Sequence, residues 1–148
     1  MSIQLKHIHI TPVTWRLAKS QLREVRIEVF LEEQQVPLEL EWDGLDEAAQ
    51  HLLVMDDENK PIACVRLLTN GSIGRMAVVK AWRGKGVGSA LLNRAITQLS
   101  VQGVDTITLS AQSHAITFYE KAGFVVTSQP YLEANMLHVD MQLSVTRP

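Results

Sequence analysis

Apolar positions along this chain change period several times, and each change marks an element. Residues 1–10 alternate polar and apolar side chains, the period of a strand with one covered face. Over residues 14–35 the period lengthens. Leu17, Leu22, Val25, Val29 and Phe30 fall at helical spacing, and Pro37 stops the run. Residues 52–55, 62–68 and 73–79 are strand-like. The polar stretch 56–61 separates the first two runs and Asn70-Gly71 the last two, so the middle of the chain predicts an antiparallel meander. Val87, Leu91, Leu92, Ala95, Ile96 and Leu99 then trace one helix face, with Gly103 placed to cap it. Residues 106–111 predict a strand, 114–122 a short helix closed by Gly123, and 124–127 and 137–145 two final strands. Strand, helix and strand around residues 87–101 require a parallel pair with a right-handed crossover. The expected fold is therefore α/β, with a mixed sheet and helices packed on it.

Composition narrows the classes. The chain has 148 residues, 46% hydrophobic and 20% charged, with no repeat and no low-complexity tract, the balance of one globular domain over residues 1–148. A formal charge of -2 lacks the basic footprint of a nucleic-acid binder. No apolar run approaches the length of a membrane span, and residues 1–10 lack the charged and apolar regions of a secretion signal. Cys64 is the single cysteine, which excludes an internal disulfide and a cysteine zinc cage; no metal is expected. A cytoplasmic protein is expected.

The chemistry concentrates at Arg83-Gly84-Lys85-Gly86-Val87-Gly88-Ser89. Glycines let a backbone approach a ligand closely, and the first turn of a helix carries unpartnered N–H groups and partial positive charge. Arg83 and Lys85 add two formal charges, so the junction predicts an anion site suited to a pyrophosphate. The spacing G-x-G-x-G fits neither the P-loop nor the Rossmann fingerprint.

These residues resemble the Q/R-x-x-G-x-G/A acyl-CoA loop of the GNAT superfamily of acetyltransferases. Downstream, Ala115-Ile116-Thr117-Phe118-Tyr119-Glu120-Lys121-Ala122-Gly123-Phe124 is similar to that family's A-x-x-F-Y-x-x-x-G-F motif. Arg26 to Phe30 with Glu33-Gln34, then Glu41, Asp43 and Asp46, His51-Leu52-Leu53, and Glu133 with His138 resemble the ElaA-like branch.

The resemblance implies the GNAT fold, with its sheet splayed at the cofactor, and transfer of an acetyl group from acetyl-CoA to a small-molecule or peptide amine. Met76, Ala77 and Val78 would pair their backbone with the pantetheine arm. The N–H groups of Gly84, Lys85, Gly86, Val87, Gly88 and Ser89 would hold the pyrophosphate beside Arg83. Phe118 and Gln112 would adjoin the cofactor, Gln112 standing where many members carry Asn. Tyr119 matches the general acid for the departing thiolate. The base that takes the amine proton is open among Glu41, Asp43, Glu133 and His138. Asn135 and Leu137 stand where the branch pattern has Gly and Pro.

Other readings stay open at this point. The acidic run 39–47 either lines an acceptor pocket or forms a solvated loop. Arg66, on an apolar strand, either pairs with a carboxylate or faces a cleft. Cys64 reads as core filler and His51 as a structural histidine, while Trp15, Trp42 and Trp82 form no evident group. A strand edge near the C-terminus is a candidate for pairing two copies. A module that binds acyl-CoA without turnover would keep the loop and lack a working acid and base.

Overall fold

The computed structural model describes residues 7–145. It begins with β1 (Ile8–Val13), α1 (Trp15–Arg26), a π-helical segment (Ile27–Glu33) and α2 (Leu38–Glu41). Strands β2 (Gln50–Asp56), β3 (Pro61–Leu67) and β4 (Ser72–Val78) form the predicted meander. After it come α3 (Val87–Val101), β5 (Thr106–Gln112), α4 (Ile116–Lys121), β6 (Val125–Val126), β7 (Tyr131–Glu133) and β8 (Met136–Ser144). The part of the first predicted strand before residue 7 lies outside the described residues.

Thr14 starts α1 by accepting the Leu17 N–H on its hydroxyl at 3.3 Å. Trp15, Ala18, Leu22, Val25 and Arg26 form the buried stripe, and Leu17, expected there, is 83% exposed. The backbone kinks at Ala18 (φ -116°, ψ 17°), and Leu17 turns outward between two members of the true stripe. The helix also does not stay α to residue 35. The Gln34 N–H reaches Val29 O and the Val36 N–H reaches Phe30 O, a wider turn that keeps the adjacent Val29 and Phe30 both buried.

The sheet order is β1-β2-β3-β4-β5-β8-β6, with β7 beside β8, and the β4–β5 contact is parallel. Helices α1 and α3 both pack on β3, and all seven of its residues are buried. That coverage on both faces explains why β3 is apolar almost throughout. Cys64 is core filler, its thiol pushed by burial up to about 12.

Two seams of this sheet differ. Strand β5 pairs with β8 along its whole length, Thr106 to Gln112, whereas β4 meets β5 only at Ser72–Thr108 and Ile73–Leu109. Arg75 has a positive φ of 48°, and the β3–β4 register shifts between Cys64 and Arg66. This bulge turns the rest of β4 away from β5 and opens the sheet.

At the C-terminal end, the strand expected over 124–127 shrinks to β6, and β7 was not foreseen, because three residues carry little periodicity. Ala134 and Asn135, with φ of 51° and 63°, make the β7–β8 turn with two left-handed residues. Asn135 accepts that conformation where the branch pattern has Gly. Among the described residues no helix is long and apolar enough to cross a membrane.

Candidate active site

A cleft of about 1320 Å³ occupies the gap between β4 and β5 and runs under the glycine loop. The open edge of β4 follows from the ladder. Val79 donates to Ile62 O, so the next pair, Ala63–Val78, is not hydrogen-bonded across β3. The N–H and C=O of Val78 therefore point into the gap. Met76, Ala77 and Val78 all line the cleft.

The loop leads directly into α3. Gly84 and Gly86 have φ of 74° and 89°, and Gly86 occupies the N-cap of α3 with no side-chain cap. Gly88 is different, since it lacks a positive φ and a Cβ there would make ordinary contact with Phe118 at 3.5 Å. Among the described residues nothing requires a glycine at 88. Gly84, Gly86, Gly88 and Ser89 line the cleft, while the Val87 side chain is buried in the core. The two cations are not both presented to the loop. Lys85 lies 5.3 Å from the Trp82 ring centroid. Arg83 gives its two Nη groups to Glu33 at 2.6 and 2.7 Å and its Nε to Val78 O at 2.8 Å.

Across the gap stand Gln112, Phe118 and Tyr119. The Tyr119 hydroxyl lies 3.8 Å from Met76 Sδ, and its ring meets Phe118 and Phe124 edge-on at 5.1 and 5.9 Å. Burial pushes the Tyr119 phenol up to about 12, so it stays protonated at neutral pH. Gln112 exchanges amide hydrogen bonds with Gln34.

The acidic run 39–47 is neither a wholly solvated loop nor a bare acidic surface. Arg26 donates Nε to Glu41 at 2.6 Å and Nη1 to Asp46 at 2.7 Å, while Arg66 forks onto Asp43 at 2.9 Å and also reaches Asp46 at 3.1 Å. Arg75 adds contacts to Glu41 Oε1 at 3.3 Å and Asp43 Oδ2 at 3.1 Å. Arg66 thus both pairs with carboxylates and lines the cleft. Although burial alone would raise the Asp43 carboxyl, hydrogen bonds from Arg66 and the Leu45 N–H hold it at about 2. Burial raises Glu41 against the pull of Arg26 and Arg75. Glu41, one of the candidate bases, lines the cleft, but it is 2% exposed and its two oxygens face Arg26 and Arg75.

His51 donates Nε2 to Asp46 O at 2.9 Å and is structural; burial lowers its pKa. Trp15 and Trp42 do form a group, since the Arg26 guanidinium lies 5.5 Å from the first ring and 5.0 Å from the second. The Trp15–Arg26 half was detectable, because Arg26 follows Trp15 by about three helical turns. Arg75 carried no comparable signal beyond Gly74 beside it, a glycine inside a strand pattern.

His138 sits on β8 opposite Gln112, almost fully buried and on the cleft wall. Its Nδ1 is 2.8 Å from Met136 O, an atom that only accepts, so Nδ1 carries the proton. In the neutral ring Nε2 then holds the lone pair, and it lies 3.7 Å from Glu133. Tyr131 stacks on the His138 ring at 6.1 Å and hydrogen-bonds to Asp140 and Ser110.

The split β4–β5 seam beside a glycine loop at a helix N-terminus is the arrangement that the resemblance to acyl-CoA-dependent acetyltransferases implies. In agreement, the family model described as "Acetyltransferase (GNAT) domain" matches residues 18–145, and the chain belongs to the GNAT acetyltransferase family. It is 35% identical over 121 residues to the uncharacterized N-acetyltransferase YjcF of Bacillus subtilis, covering 79% of this chain and 86% of that protein. Among solved structures, an acyl-CoA N-acyltransferase from Pseudomonas aeruginosa superposes with a TM-score of 0.83 at 33% identity, covering 93% of this chain and 99% of the other. Escherichia coli ElaA superposes with a TM-score of 0.84 at 26% identity, with the same coverages of 93% and 99%.

Proposed function

We propose that this GNAT-family chain uses acetyl-CoA as acyl donor and moves the acetyl group directly onto a primary amine of a small molecule or peptide. The observation that carries this reading is the open edge of β4, whose Val78 N–H and C=O point into the cleft beside the glycine loop. Arg83 Nε holds the Val78 C=O, while among the described residues the Val78 N–H has no strand partner, and the amides of a pantetheine arm supply one. The uncapped α3 N-terminus and the left-handed Gly84 and Gly86 suit a pyrophosphate, and the unforced glycine at 88 suits close approach by a ligand.

In the transfer, the amine nitrogen bonds to the thioester carbonyl carbon and the carbon–sulfur bond breaks. His138 Nε2, aided by Glu133, takes the ammonium proton, because the Nδ1–Met136 bond leaves Nε2 as the basic atom. Tyr119 gives its proton to the departing sulfur, and the second proton that the nitrogen loses as the amide forms returns the Tyr119 phenolate to the phenol. A phenol near 12 is a weak acid for an ordinary thiolate, but burial that raises Tyr119 also raises a buried thiol, as Cys64 illustrates. We also propose a cytoplasmic location and pairing of two copies through a strand edge near the C-terminus, the latter to be checked by light scattering.

Calorimetry with acetyl-CoA and thiol release across an amine panel test this reading. Tyr119→Phe is expected to slow turnover about tenfold or more with KM for acetyl-CoA nearly unchanged. Absence of acetyl-CoA binding would sink the proposal, and binding with no turnover on any amine would make the chain a sensing module. Unchanged turnover in Tyr119→Phe would remove that residue from the acid role.

A further inference from the structure

The π-helical segment ends on two side chains that reach opposite edges of the split seam. Glu33 holds both Nη groups of Arg83, and Arg83 in turn covers Val78 O on the β4 side. The next residue, Gln34, exchanges two amide hydrogen bonds with Gln112 at the end of β5, at 2.9 and 3.3 Å. Strands β4 and β5 are paired only at Ser72–Thr108 and Ile73–Leu109, so the Glu33-Gln34 pair bridges the far end of the gap instead. The same segment lends Val29, Phe30, Glu33 and Gln34 to the cleft wall.

Three features make this arrangement more than a surface ion pair. Arg83 belongs to the glycine loop, and its forked geometry suits a carboxylate and a phosphate equally well. Glu33 is an anion, so it stands where a second anion must approach the same guanidinium. Val78 O, the carbonyl an incoming amide would use, is already occupied by Arg83 Nε.

We propose that Glu33 and Gln34 form a two-point latch across the split seam, which acyl-CoA displaces when its phosphates take Arg83 from Glu33. This rests on the acyl-CoA reading above. Arg83, in turning to the phosphates, uncovers Val78 O, and the released Glu33 frees the end of the π segment, which changes the wall of the acceptor half. Glu33 acts here through Arg83, as a positioning residue.

The test uses CoA itself, which needs neither acceptor nor turnover. Calorimetry would compare the wild type with Glu33→Gln, Glu33→Ala and Glu33→Asp, each first confirmed as folded by its melting curve. Removing the competing charge should tighten CoA binding about three- to tenfold in the Gln and Ala variants, with the gain shrinking as salt rises. Glu33→Asp keeps the charge and should stay near the wild type. Amide exchange over residues 27–36 should speed up when CoA binds the wild type, and should already be fast in unliganded Glu33→Gln. If the wild type binds CoA while Glu33→Gln and Glu33→Ala bind equally or more weakly, Glu33 is no competitor and the latch is overturned. Unchanged or slower exchange over 27–36 overturns the release step. CoA binding to neither wild type nor variants sinks the functional reading, and the latch with it.

Discussion

On one side of the cleft, Arg26, Arg66 and Arg75 satisfy Glu41, Asp43 and Asp46, and Trp15 and Trp42 close around the cluster. On the other side, the loop at Gly84 and Gly86 ends at a helix N-terminus with no side-chain cap. Both regions are dense in recognisable motif residues, and they use them differently. In the cluster, charged groups are spent on one another, so the pattern reports how the fold holds the π segment and α2 against the sheet. In the loop Arg83 is engaged by Glu33 and Val78 O, but the backbone N–H groups at the uncapped α3 N-terminus are left unspent, and such groups await a ligand. A motif rich in charge is thus no evidence of catalysis until its partners are known.

The largest expected effect breaks the cluster. Asp46→Ala leaves Arg26 and Arg66 without a shared partner, and Arg26→Ala leaves Glu41 buried opposite nothing but Arg75. Each should cost about 3–5 kcal/mol in denaturant unfolding, because an uncompensated buried charge remains. A loss below 1 kcal/mol would mean the cluster is far more solvated than its burial indicates.

A loop substitution should do the reverse. Gly86→Glu puts a side chain and a negative charge on a left-handed residue at the α3 N-cap. We expect about 1–2 kcal/mol of lost stability from backbone strain, with acetyl-CoA affinity lowered more than 100-fold. Calorimetry on the folded variant checks this, and retained affinity would place the phosphate elsewhere.

The smallest effect is a pH dependence. The folded-state pKa of Asp43, about 2, lies below the unfolded value near 3.9, so its pairing stabilises the fold above about pH 4 and is lost as pH falls toward 2. Asp43→Asn should flatten the fall in melting temperature across that window, while the wild type retains it. An identical slope in the two proteins would assign the acid sensitivity to other carboxylates.

Much of the frame was legible in order along the chain. The meander, the crossover helix and the strand after it follow from period and turn chemistry, and Asn70 does accept the Ser72 N–H in the predicted turn. Leu17 misled because its spacing to Leu22 looked helical, while Trp15 and Ala18 carried the actual stripe. Strand β7 escaped because three residues are too few to display a period. The glycine loop was legible because its function rests on backbone, which glycine spacing reports directly. Arg75, the Glu33–Arg83 pair and the packing of Trp42 on Arg26 were not, since what they do depends on partners distant in sequence.

What the sequence alone determined, then, is the succession of elements, the anion-suited loop and the chemical kinds of residue available at the cleft. Only the tertiary structure decided which of those residues remain available. Glu41 and Asp43 are bound up by arginines that arrive from α1, β3 and β4, while the bond from His138 Nδ1 to Met136 O fixes which ring nitrogen carries the proton. The charge of a side chain is a local property, read from its type. Its burial, its partner and hence its reactivity are set by distances between segments far apart in the chain, and those exist only once the chain has folded.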